Sequence, residues 1–307
     1  MTTDHSIVQS LSEIVGKENV LIDEQIRNHT YTQLGGTADY FVMPGTIEEV
    51  QATVKFANVE SIPFTLLGNG SNLIVRDGGI RGIVMNLKRL SAIKRESNTL
   101  IAESGARIID VSYRALAESL SGLEFACGIP GTVGGALYMN AGAYGGEIKD
   151  CLEKAVVVDI HGDVQTLLAS ELALDYRTSN IPDKGYIVLE AYFTLKPAAE
   201  VEIKMVMDDL TEKRESKQPL EYPSCGSVFK RPPGYFAGKL IQDSNLQGKG
   251  IGGAEVSTKH AGFIVNKNNA TASDYLAVIE MVQNKVKENF GVELEREVRV
   301  IGEDATE

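Results

Sequence analysis

The feature that most constrains this 307-residue sequence is the stretch GIPGTVGGALYMNAGAYGG, residues 128–146, which holds seven glycines and no charged residue. Glycine accepts positive φ and lets the backbone approach a ligand closely, so peptide N–H groups become available as donors. Pro130 suits the first turn of a helix, and we predict a short helix over residues 132–139 whose N-terminus favours a phosphate. The alternative is a pair of tight turns that pack a helix and bind nothing, and the stretch alone does not decide between the two.

A second glycine-rich loop, Gly68-Asn69-Gly70-Ser71-Asn72, lies between two short apolar segments that we predict as strands, residues 63–67 and 73–75. Consecutive amides, a serine hydroxyl and asparagine side chains suit a pyrophosphate. The loop is not a Rossmann fingerprint, because Leu73 stands where the third glycine would be and no helix follows. The sequence also lacks a P-loop, since the segment 234–239 is one residue short of that motif.

Composition excludes several classes of protein. A net charge of -12 argues against nonspecific binding to nucleic acid or to an anionic membrane surface. Three cysteines without CxxC spacing and four scattered histidines give neither a disulfide framework nor a metal site. The first 20 residues carry acidic side chains and lack the apolar core of a signal peptide. We therefore expect a cytoplasmic protein with no bound metal and no nucleic-acid or membrane partner.

The hydrophobic periodicity predicts a mixture of helices and strands. The predicted helices are residues 5–16, 46–58, 108–121, 201–217 and 273–289. The predicted strands are residues 39–43, 82–87, 91–95, 100–103, 155–160, 164–168, 186–195, 255–266 and 292–301. These elements do not alternate as in βαβ units, which favours an α+β fold, and the segment 196–200 is a candidate domain boundary.

Three polar segments contain candidates for chemistry. Arg177 lies in the loop DYRTS and could bind a carboxylate through two hydrogen bonds, although a surface salt bridge is the simpler alternative. Ser227 follows a glycine in SCGSVFKRPPG, and without a GxSxG motif it is either an accessible hydroxyl or a capping serine, not an acyl-transfer nucleophile. Glu297 shares the polar face of residues 292–300, where most glutamates are simply solvated.

Read together, LGNGSNLIV, GIPGTVGGALYMNAGAYGGEI, DYRTS, CGSVFKRPPG, AGKLIQ and LEREVRVIG are similar to the motifs of the UDP-N-acetylenolpyruvoylglucosamine reductase (MurB) family. Six motifs in one order are far more specific than any one of them, and the resemblance extends from Tyr31 to Gly302. The chain resembles the shorter branch of the family, because it has no equivalent of the tyrosine-bearing loop that one branch closes over the uridine. A second departure is Arg231, where other members have asparagine.

The resemblance implies an α+β protein with a two-lobed FAD-binding fold of the vanillyl-alcohol-oxidase (PCMH) type, followed by a C-terminal α+β substrate-binding domain. The expected segments are 1–60 for the first FAD-binding lobe, 61–198 for the second and 199–307 for the substrate domain. The flavin is expected to be bound without a covalent link. The residues expected to hold it are Gly68, Asn69, Gly70, Ser71, Asn72, Pro130, Gly131, Thr132, Gly134, Gly135, Asn140, Gly142, Tyr144 and Gly145.

The resemblance also implies the reaction, in which NADPH reduces FAD and the flavin then reduces UDP-N-acetylglucosamine enolpyruvate to UDP-N-acetylmuramate. Arg177, Ser227 and Glu297 match the family's catalytic positions. Ser227 would protonate the carbanion, with Lys217 or Lys230 easing its loss of the proton. Arg177 and a protonated Glu297 would stabilise charge on the substrate carboxylate. The positions expected around the substrate are Tyr176, Lys217, Arg231, Lys239, Gln242 and His260.

Two other functions are compatible with these motifs. One is a different flavin oxidoreductase of the same fold that acts on a sugar or hydroxy acid, with Cys127 as a possible covalent attachment for the flavin. The other is a nucleotide-sugar-binding module without redox activity. For the function that the resemblance implies, we expect a monomer whose partners are small molecules, the UDP-sugar enolpyruvate and NADPH.

Overall fold

The structure is a computed structural model, and it describes residues 4–305. Within this range, the residues that the periodicity predicts as helical form α-helices close to the expected bounds. Each helix is capped or ends at glycine or a polar residue, as in the capping of α1 by Asp4 and of α2 by Thr46. The helices are α1 (His5–Val15), α2 (Ile47–Val59), α3 (Ile108–Ala117), α4 (Val133–Tyr138), α5 (Glu200–Lys217), α6 (Ala237–Asp243) and α7 (Ala272–Phe290).

The strands are short, and several contain only two or three residues. They are β1 (Val20–Gln25), β2 (Thr37–Val42), β3 (Phe64–Leu67), β4 (Leu73–Val75), β5 (Ile80–Asn86), β6 (Ile93–Glu96), β7 (Thr99–Glu103), β8 (Leu120–Ser121), β9 (Gly142–Ala143), β10 (Gly146–Glu147), β11 (Leu152–Val158), β12 (Val164–Leu168), β13 (Ile187–Thr194), β14 (Lys196–Pro197), β15 (Ser224–Ser227), β16 (Gly250–Ile251), β17 (Ala254–Val256), β18 (Phe263–Asn266) and β19 (Arg299–Ile301).

The chain forms two compact units. Within the described residues, unit 1 comprises 4–22, 39–69 and 82–213, and unit 2 comprises 23–38, 70–81 and 214–305. The chain passes from unit 1 into unit 2 between Asn69 and Gly70, within the loop 68–72. It does so for the last time between Lys213 and Arg214, within α5. The division into segments 1–60, 61–198 and 199–307 stays a prediction.

Unit 1 contains an antiparallel sheet in the order β12–β11–β13–β7–β6 and most of a second sheet in the order β1–β2–β5–β3. The apolar faces of α3 and α4 pack on the first sheet, where Leu100, Val111, Leu137 and Phe193 are fully or almost fully buried. This burial holds the glycine-rich stretch 128–146 against a rigid layer. Unit 1 therefore positions that stretch through packing rather than through local turns alone.

Unit 2 contains the antiparallel sheet β15–β18–β17–β16 and the parallel pair β19–β4. Its core is formed by the inner face of α7 together with Val228, Ile264 and Leu294. The apolar spacing of α7 predicts that Leu276, Ile279, Val282, Val286 and Phe290 face inward. Ile279, Val282 and Val286 are buried, but Phe290 is 41% exposed because the helix ends there before a left-handed Gly291, so the prediction is wrong for Phe290.

Three predicted elements have different bounds in the structure. Helix α3 ends at Ala117, because Ser119 adopts a left-handed φ of 55° and the next two residues form β8. The predicted strand 255–266 is a hairpin of β17 and β18, since the Ser257 hydroxyl accepts the amides of Lys259 and His260 and so closes a turn. In the predicted strand 292–301, only residues 299–301 form a ladder, because residues 295–297 bond to the segment 228–230 instead.

Strand β15 is anchored to α7 by a buried polar contact. The Tyr275 hydroxyl donates to the Ile264 carbonyl at 2.5 Å and lies 3.2 Å from the Cys225 sulfur. Burial raises the pKa of the Cys225 thiol to about 11, so the thiol keeps its proton and can donate to the tyrosine oxygen. Because Cys225 lies two residues before Ser227, this contact fixes the strand that carries the serine.

We expect Tyr275→Phe to lower the free energy of unfolding by about 1–3 kcal/mol, because it leaves the Ile264 carbonyl and the Cys225 thiol buried without this partner. Urea denaturation followed by circular dichroism measures the change. Tyr113→Phe is the matched control, because the Tyr113 side chain is 48% exposed, and it should have almost no effect. Equal stability of the two variants would contradict an anchoring role for the buried hydroxyl.

Candidate functional site

The loop 68–72 has peptide N–H groups that the described part of the chain does not use. The amides of Asn69, Gly70, Ser71 and Asn72 donate to no group within residues 4–305. Gly70 has a φ of 63°, and a Cβ at this position would lie 2.5 Å from the His29 carbonyl oxygen, so only glycine fits. Consecutive amides without an internal acceptor are what an anionic oxygen requires. The loop therefore has donors that suit an anionic ligand, and Gly68, Asn69, Gly70, Ser71 and Asn72 stay predicted cofactor-site residues.

The N-terminus of α4 differs from the sequence prediction. The amide of Val133 donates to the Ala106 carbonyl at 2.8 Å, that of Gly134 to the Ser104 carbonyl at 2.9 Å, and that of Gly135 to the Thr132 hydroxyl at 3.2 Å. Because these amides are already bonded, the prediction that the helix N-terminus offers free donors to a phosphate is wrong. Pro130 also lies outside the helix, two residues before its N-cap Thr132.

Glycines in this part of the stretch allow close packing. A Cβ on Gly134 would lie 2.2 Å from the Ser104 hydroxyl oxygen, and one on Gly68 would lie 3.0 Å from the Thr132 hydroxyl oxygen. Gly68 thus brings the first glycine loop directly against the residue that caps α4. Pro130, Gly131, Thr132, Gly134 and Gly135 stay predicted cofactor-site residues, but as residues that shape the surface rather than as a row of free phosphate donors.

The end of the stretch is a tight hairpin formed by β9 and β10. Its two turn residues, Tyr144 and Gly145, have φ values of 53° and 92°, as a two-residue hairpin turn requires. Asn140 is fully buried, and its amide nitrogen donates to the Glu147 carboxylate at 2.8 Å and to the Asp175 carbonyl at 3.1 Å. Asn140 therefore joins the hairpin to the loop that carries Arg177.

Arg177 lies at the tip of that loop, where Asp175 and Thr178 exchange two backbone hydrogen bonds. Its guanidinium donates to the Gly142 carbonyl at 2.8 Å and lies 5.3 Å from the centre of the Tyr176 ring. Arg177 has a φ of 54°, which is unfavourable for a residue with a Cβ. In unit 1 the structure thus brings Arg177 and Tyr176 to the glycine hairpin, and it does so in a strained conformation of the kind found at functional sites.

In unit 2 the structure brings Ser227 and Glu297 together through the backbone of Val228. The Val228 carbonyl accepts the Glu297 amide at 2.8 Å, while the Val228 amide donates to the Gly262 carbonyl at 3.0 Å. The Asn72 side-chain amide also donates to the Glu297 carbonyl, at 3.4 Å. Hydrogen bonds therefore connect the backbone beside Ser227, the predicted acid, to the backbone of Glu297, the predicted carboxylate. They also connect Glu297 to Asn72 at the end of the first glycine loop.

Of the side chains at this centre, that of Ser227 is accessible to a ligand. Ser227 is exposed, and its hydroxyl has no hydrogen-bond partner within the described residues. Glu297 is half-buried. Lys230 forms an ion pair with Glu295 at 2.6 Å, and its suggested assistance to Ser227 stays a prediction. The Lys217 side chain makes no hydrogen bond or ion pair in the described chain.

His260 and Ser227 both lie near Gly262. A Cβ on Gly262 would lie 3.1 Å from the His260 ring and 3.8 Å from the Ser227 hydroxyl oxygen, so this glycine leaves room for both side chains. The Gly262 amide donates to His260 Nδ1 at 3.2 Å, and the ring makes an edge contact with Phe263. Gly262 is a residue of this site that sequence reasoning missed, and its only signal was a glycine inside a predicted strand.

Burial lowers the pKa of His260 below its ordinary value near 6.5. The unfolded chain therefore binds a proton at a higher pH than the folded chain, so the free energy of unfolding should fall as the pH drops below about 6.5. Urea denaturation at about pH 7.5 and at about pH 5.5 measures this loss. His260→Asn removes the titrating group, and a loss as large in this variant as in the wild type would show that other groups cause it.

The remaining predicted substrate residues lie on α6 and the loop before it. Lys239 and Gln242 are three residues apart, so they share one exposed face of the helix. The Lys239 ammonium pairs with Asp243 at 2.6 Å. Arg231 is exposed in the preceding loop.

The proposed covalent attachment of a flavin through Cys127 does not fit the structure. Cys127 is buried in a cluster with Ile203 and Met207 of α5, and its sulfur lies 3.7 Å from the Met207 carbonyl oxygen. This thiol therefore packs against a helix rather than facing a ligand surface.

Comparison with known proteins first defines the class. A family model described as an FAD binding domain matches residues 38–168. The solved structure of a wild-type glucose dehydrogenase covers 64% of this chain and 45% of its own, at 14% identity and a TM-score of 0.50, which indicates a shared fold alone. The first part of the chain is therefore an FAD-binding domain, as the sequence analysis predicted.

The second comparison defines the family. A model described as the UDP-N-acetylenolpyruvoylglucosamine reductase C-terminal domain matches residues 218–301. Reductases of this name from Oceanobacillus iheyensis and Staphylococcus aureus are 71% and 60% identical, with 100% and 98% of each chain covered. The crystal structure of the Thermus caldophilus reductase matches at 33% identity and a TM-score of 0.79, over 92% of this chain and 97% of its own. The chain belongs to the UDP-N-acetylenolpyruvoylglucosamine reductase family, and the predicted α+β fold class is confirmed.

Proposed function

We propose that this chain reduces UDP-N-acetylglucosamine enolpyruvate to UDP-N-acetylmuramate, a step of peptidoglycan precursor synthesis, with FAD as its cofactor and NADPH as the hydride donor. Family membership over the whole chain supports this reaction. The observation that carries it is the juxtaposition of Ser227 and Glu297 through the Val228 backbone. A proton donor beside a carboxyl group suits a reduction that must deliver a proton to carbon.

The residues around the glycine loops fit FAD. Unused consecutive amides in the loop 68–72 suit the negative charge of a pyrophosphate, and the absence of a Cβ at Gly70 is what permits that conformation. We propose that this loop holds the pyrophosphate and that the hairpin with Gly142, Tyr144 and Gly145 lies beside the ring system. When bound, FAD supplies hydride transfer between NADPH and the enolpyruvyl substrate.

Three residues supply the remaining chemistry in our proposal. After hydride reaches the terminal methylene carbon, charge develops on the adjacent carbon and spreads into the substrate carboxylate. The Arg177 guanidinium, held in place by the Gly142 carbonyl, would bind that carboxylate, and Glu297 would donate a hydrogen bond to it when protonated. The Ser227 hydroxyl would give its proton to the adjacent carbon, which completes the addition of hydride and proton across the double bond. The assignment of Arg177 to the same reaction as the other two rests on the sequence motifs.

Visible spectroscopy of the purified protein under anaerobic conditions tests the function in two steps. The flavin band should bleach on addition of NADPH and return only when UDP-N-acetylglucosamine enolpyruvate is added. A band that bleaches but does not return would reject this substrate and leave another flavin oxidoreductase of the same fold. A colourless protein that cannot take up FAD would reject the redox function and favour a nucleotide-sugar-binding module.

We also propose that the protein works as a monomer in the cytoplasm. In the part of the chain that the structure describes, no helix has the length and apolar character needed to cross a membrane. Light scattering coupled to size-exclusion chromatography measures the oligomeric state, and a mass of about twice 33.2 kDa would reject the monomer.

A further inference from the structure

The loop that carries Arg177 is held at both ends by buried polar side chains that the proposed mechanism does not use. Asn140 is fully buried, and Ser179 is only 5% exposed. Buried polar groups stabilise a fold only when they are hydrogen-bonded. In the described chain, the hydrogen bonds of these two side chains all lie within residues 138–149 and 175–181. Both side chains therefore connect the end of α4 and the glycine hairpin to this loop.

The Asn140 side chain has no donor left for a ligand. Its nitrogen donates to the Glu147 carboxylate at 2.8 Å and to the Asp175 carbonyl at 3.1 Å, and its oxygen accepts the Lys149 amide at 3.0 Å. Because a backbone amide can only donate, the atom that faces Lys149 must be the oxygen, which fixes the orientation of the side-chain amide. Both side-chain N–H groups are therefore used inside the protein, and a hydrogen bond to a flavin would require the release of Glu147 or Asp175.

Ser179 makes the corresponding contact at the other end of the loop. Its hydroxyl donates to the carbonyl of Tyr138, the last residue of α4, at 2.7 Å and accepts the Ile181 amide at 3.3 Å. Between the two contacts, Asp175 and Thr178 exchange two backbone hydrogen bonds of 3.1 Å. The loop is therefore short, closed on itself and fastened to the rest of unit 1 on both sides.

The conformation of Arg177 requires such support. A left-handed φ of 54° is unfavourable for a residue with a Cβ, and it persists only where the surrounding structure imposes it. The hydrogen bond from the guanidinium to the Gly142 carbonyl holds the end of the side chain. A long, flexible side chain can reach the same carbonyl from several backbone positions, so other groups must hold the backbone. The contacts at Asp175 and Ser179, two residues to either side, supply that restraint.

We propose that Asn140 and Ser179 are positioning residues for Arg177, which they hold by fixing the backbone of its loop, and that the Asn140 side chain does not bind the flavin. The inference rests on the proposed function for the role of Arg177 toward the substrate carboxylate. It replaces the role that the family motifs imply for Asn140, that of a residue that holds FAD. Displacement of a reacting group by about 1 Å can cost on the order of a hundredfold in rate, so residues that never touch the substrate can limit turnover.

Asn140→Gly and Ser179→Ala should each slow the reoxidation of the flavin by UDP-N-acetylglucosamine enolpyruvate roughly 10- to 100-fold. The FAD content and the rate of flavin reduction by NADPH should change less than about twofold. Glycine accepts the φ of 41° that Asn140 adopts, so this variant removes the side chain without straining the end of α4. Stopped-flow absorbance under anaerobic conditions measures both half-reactions.

The matched controls change exposed residues of the same types. Asn269 also has a positive φ, of 50°, but its side chain is exposed, so Asn269→Gly should behave as the wild type. Ser91→Ala, which removes an exposed hydroxyl, should do the same. Unchanged reoxidation in both Asn140→Gly and Ser179→Ala would overturn the inference. Loss of FAD from Asn140→Gly would also overturn it, because the side chain would then belong to the cofactor site.

A double-mutant cycle shows whether the two residues act through Arg177. In the Arg177→Gly background the guanidinium is absent, so adding Asn140→Gly or Ser179→Ala should slow reoxidation by less than a further twofold or so, about the error of the comparison. A merely structural role predicts independent losses that multiply. Losses that multiply in both cycles would therefore contradict a positioning role.

Limited digestion of the holoenzyme with trypsin tests the same contacts without turnover, because trypsin cleaves after arginine where the chain opens. Cleavage after Arg177 should be roughly 5- to 100-fold faster in Asn140→Gly and Ser179→Ala, since each variant loses a buried hydrogen bond and the rate follows the population of the open loop. Cleavage after Arg114, inside α3, should change much less, and an equal increase at both sites would overturn the inference. If the enolpyruvyl substrate does not reoxidise the wild type, the proposed function fails, while the digestion still shows whether the two side chains hold the loop.

Discussion

Ser227→Ala is expected to leave the bleaching of the flavin by NADPH intact while slowing its reoxidation by the enolpyruvyl substrate roughly a hundredfold or more. The physical reason is that the variant removes the proposed proton donor but no contact that holds the fold. The Ser227 hydroxyl is exposed and has no partner in the described chain, so its loss should cost almost no stability. Stopped-flow absorbance under anaerobic conditions measures the two half-reactions separately.

Two controls make the result specific. Ser91→Ala removes another exposed serine hydroxyl and should behave as the wild type in both half-reactions. Thermal unfolding of Ser227→Ala should match that of the wild type, which shows that a kinetic defect is not a folding defect. Normal reoxidation in Ser227→Ala would remove Ser227 as the acid and would direct attention to His260, which also lies near Gly262.

Local sequence patterns predicted most elements of the fold, because helix caps and hydrophobic periodicity depend on residues that are close in the sequence. Helix α7 has a capping box at Thr271 and a left-handed glycine at its end, and both signals are visible in the sequence. The hairpin of β17 and β18 was predicted as one strand, because the turn depends on the Ser257 hydroxyl reaching back to two amides. Apolar residues on both sides of a short polar turn give no periodicity by which a strand and a hairpin can be distinguished.

The family motifs predicted which residues form the candidate site. They did not predict how these residues are arranged in space. Ser227 and Glu297 lie close only because residues 228–230 bond to the backbone of residues 295–297, and backbone contacts leave no signature in side-chain identity. The same limit explains the error at α4. Whether its amides are free depends on the carbonyls of Ser104 and Ala106, which approach from a different segment.

The left-handed conformation of Arg177 leads to the second large effect. Arg177→Gly should abolish most of the oxidative half-reaction, with a loss of roughly a hundredfold or more, because it removes the cation that we propose to bind the substrate carboxylate. The loss of stability should nevertheless be less than about 2 kcal/mol. Relief of a left-handed φ is worth about 1–2 kcal/mol, and it offsets part of the stability that is lost with the arginine side-chain contacts, which include the hydrogen bond to Gly142 and the contact with the Tyr176 ring, and with the greater entropy of glycine in the unfolded chain.

Arg177→Lys and Ala173→Gly separate charge from backbone strain. Lysine keeps the charge and the strained φ but lacks the planar pair of donors, so its activity should lie between those of the wild type and Arg177→Gly. Ala173 is exposed and also has a positive φ, of 46°, so Ala173→Gly should raise the unfolding free energy slightly and leave both half-reactions unchanged. If Arg177→Gly instead lost about 2 kcal/mol or more of stability, the arginine side chain would be part of the folded framework. A strained arginine whose removal costs activity but not stability would show that the conformation at residue 177 is maintained for catalysis.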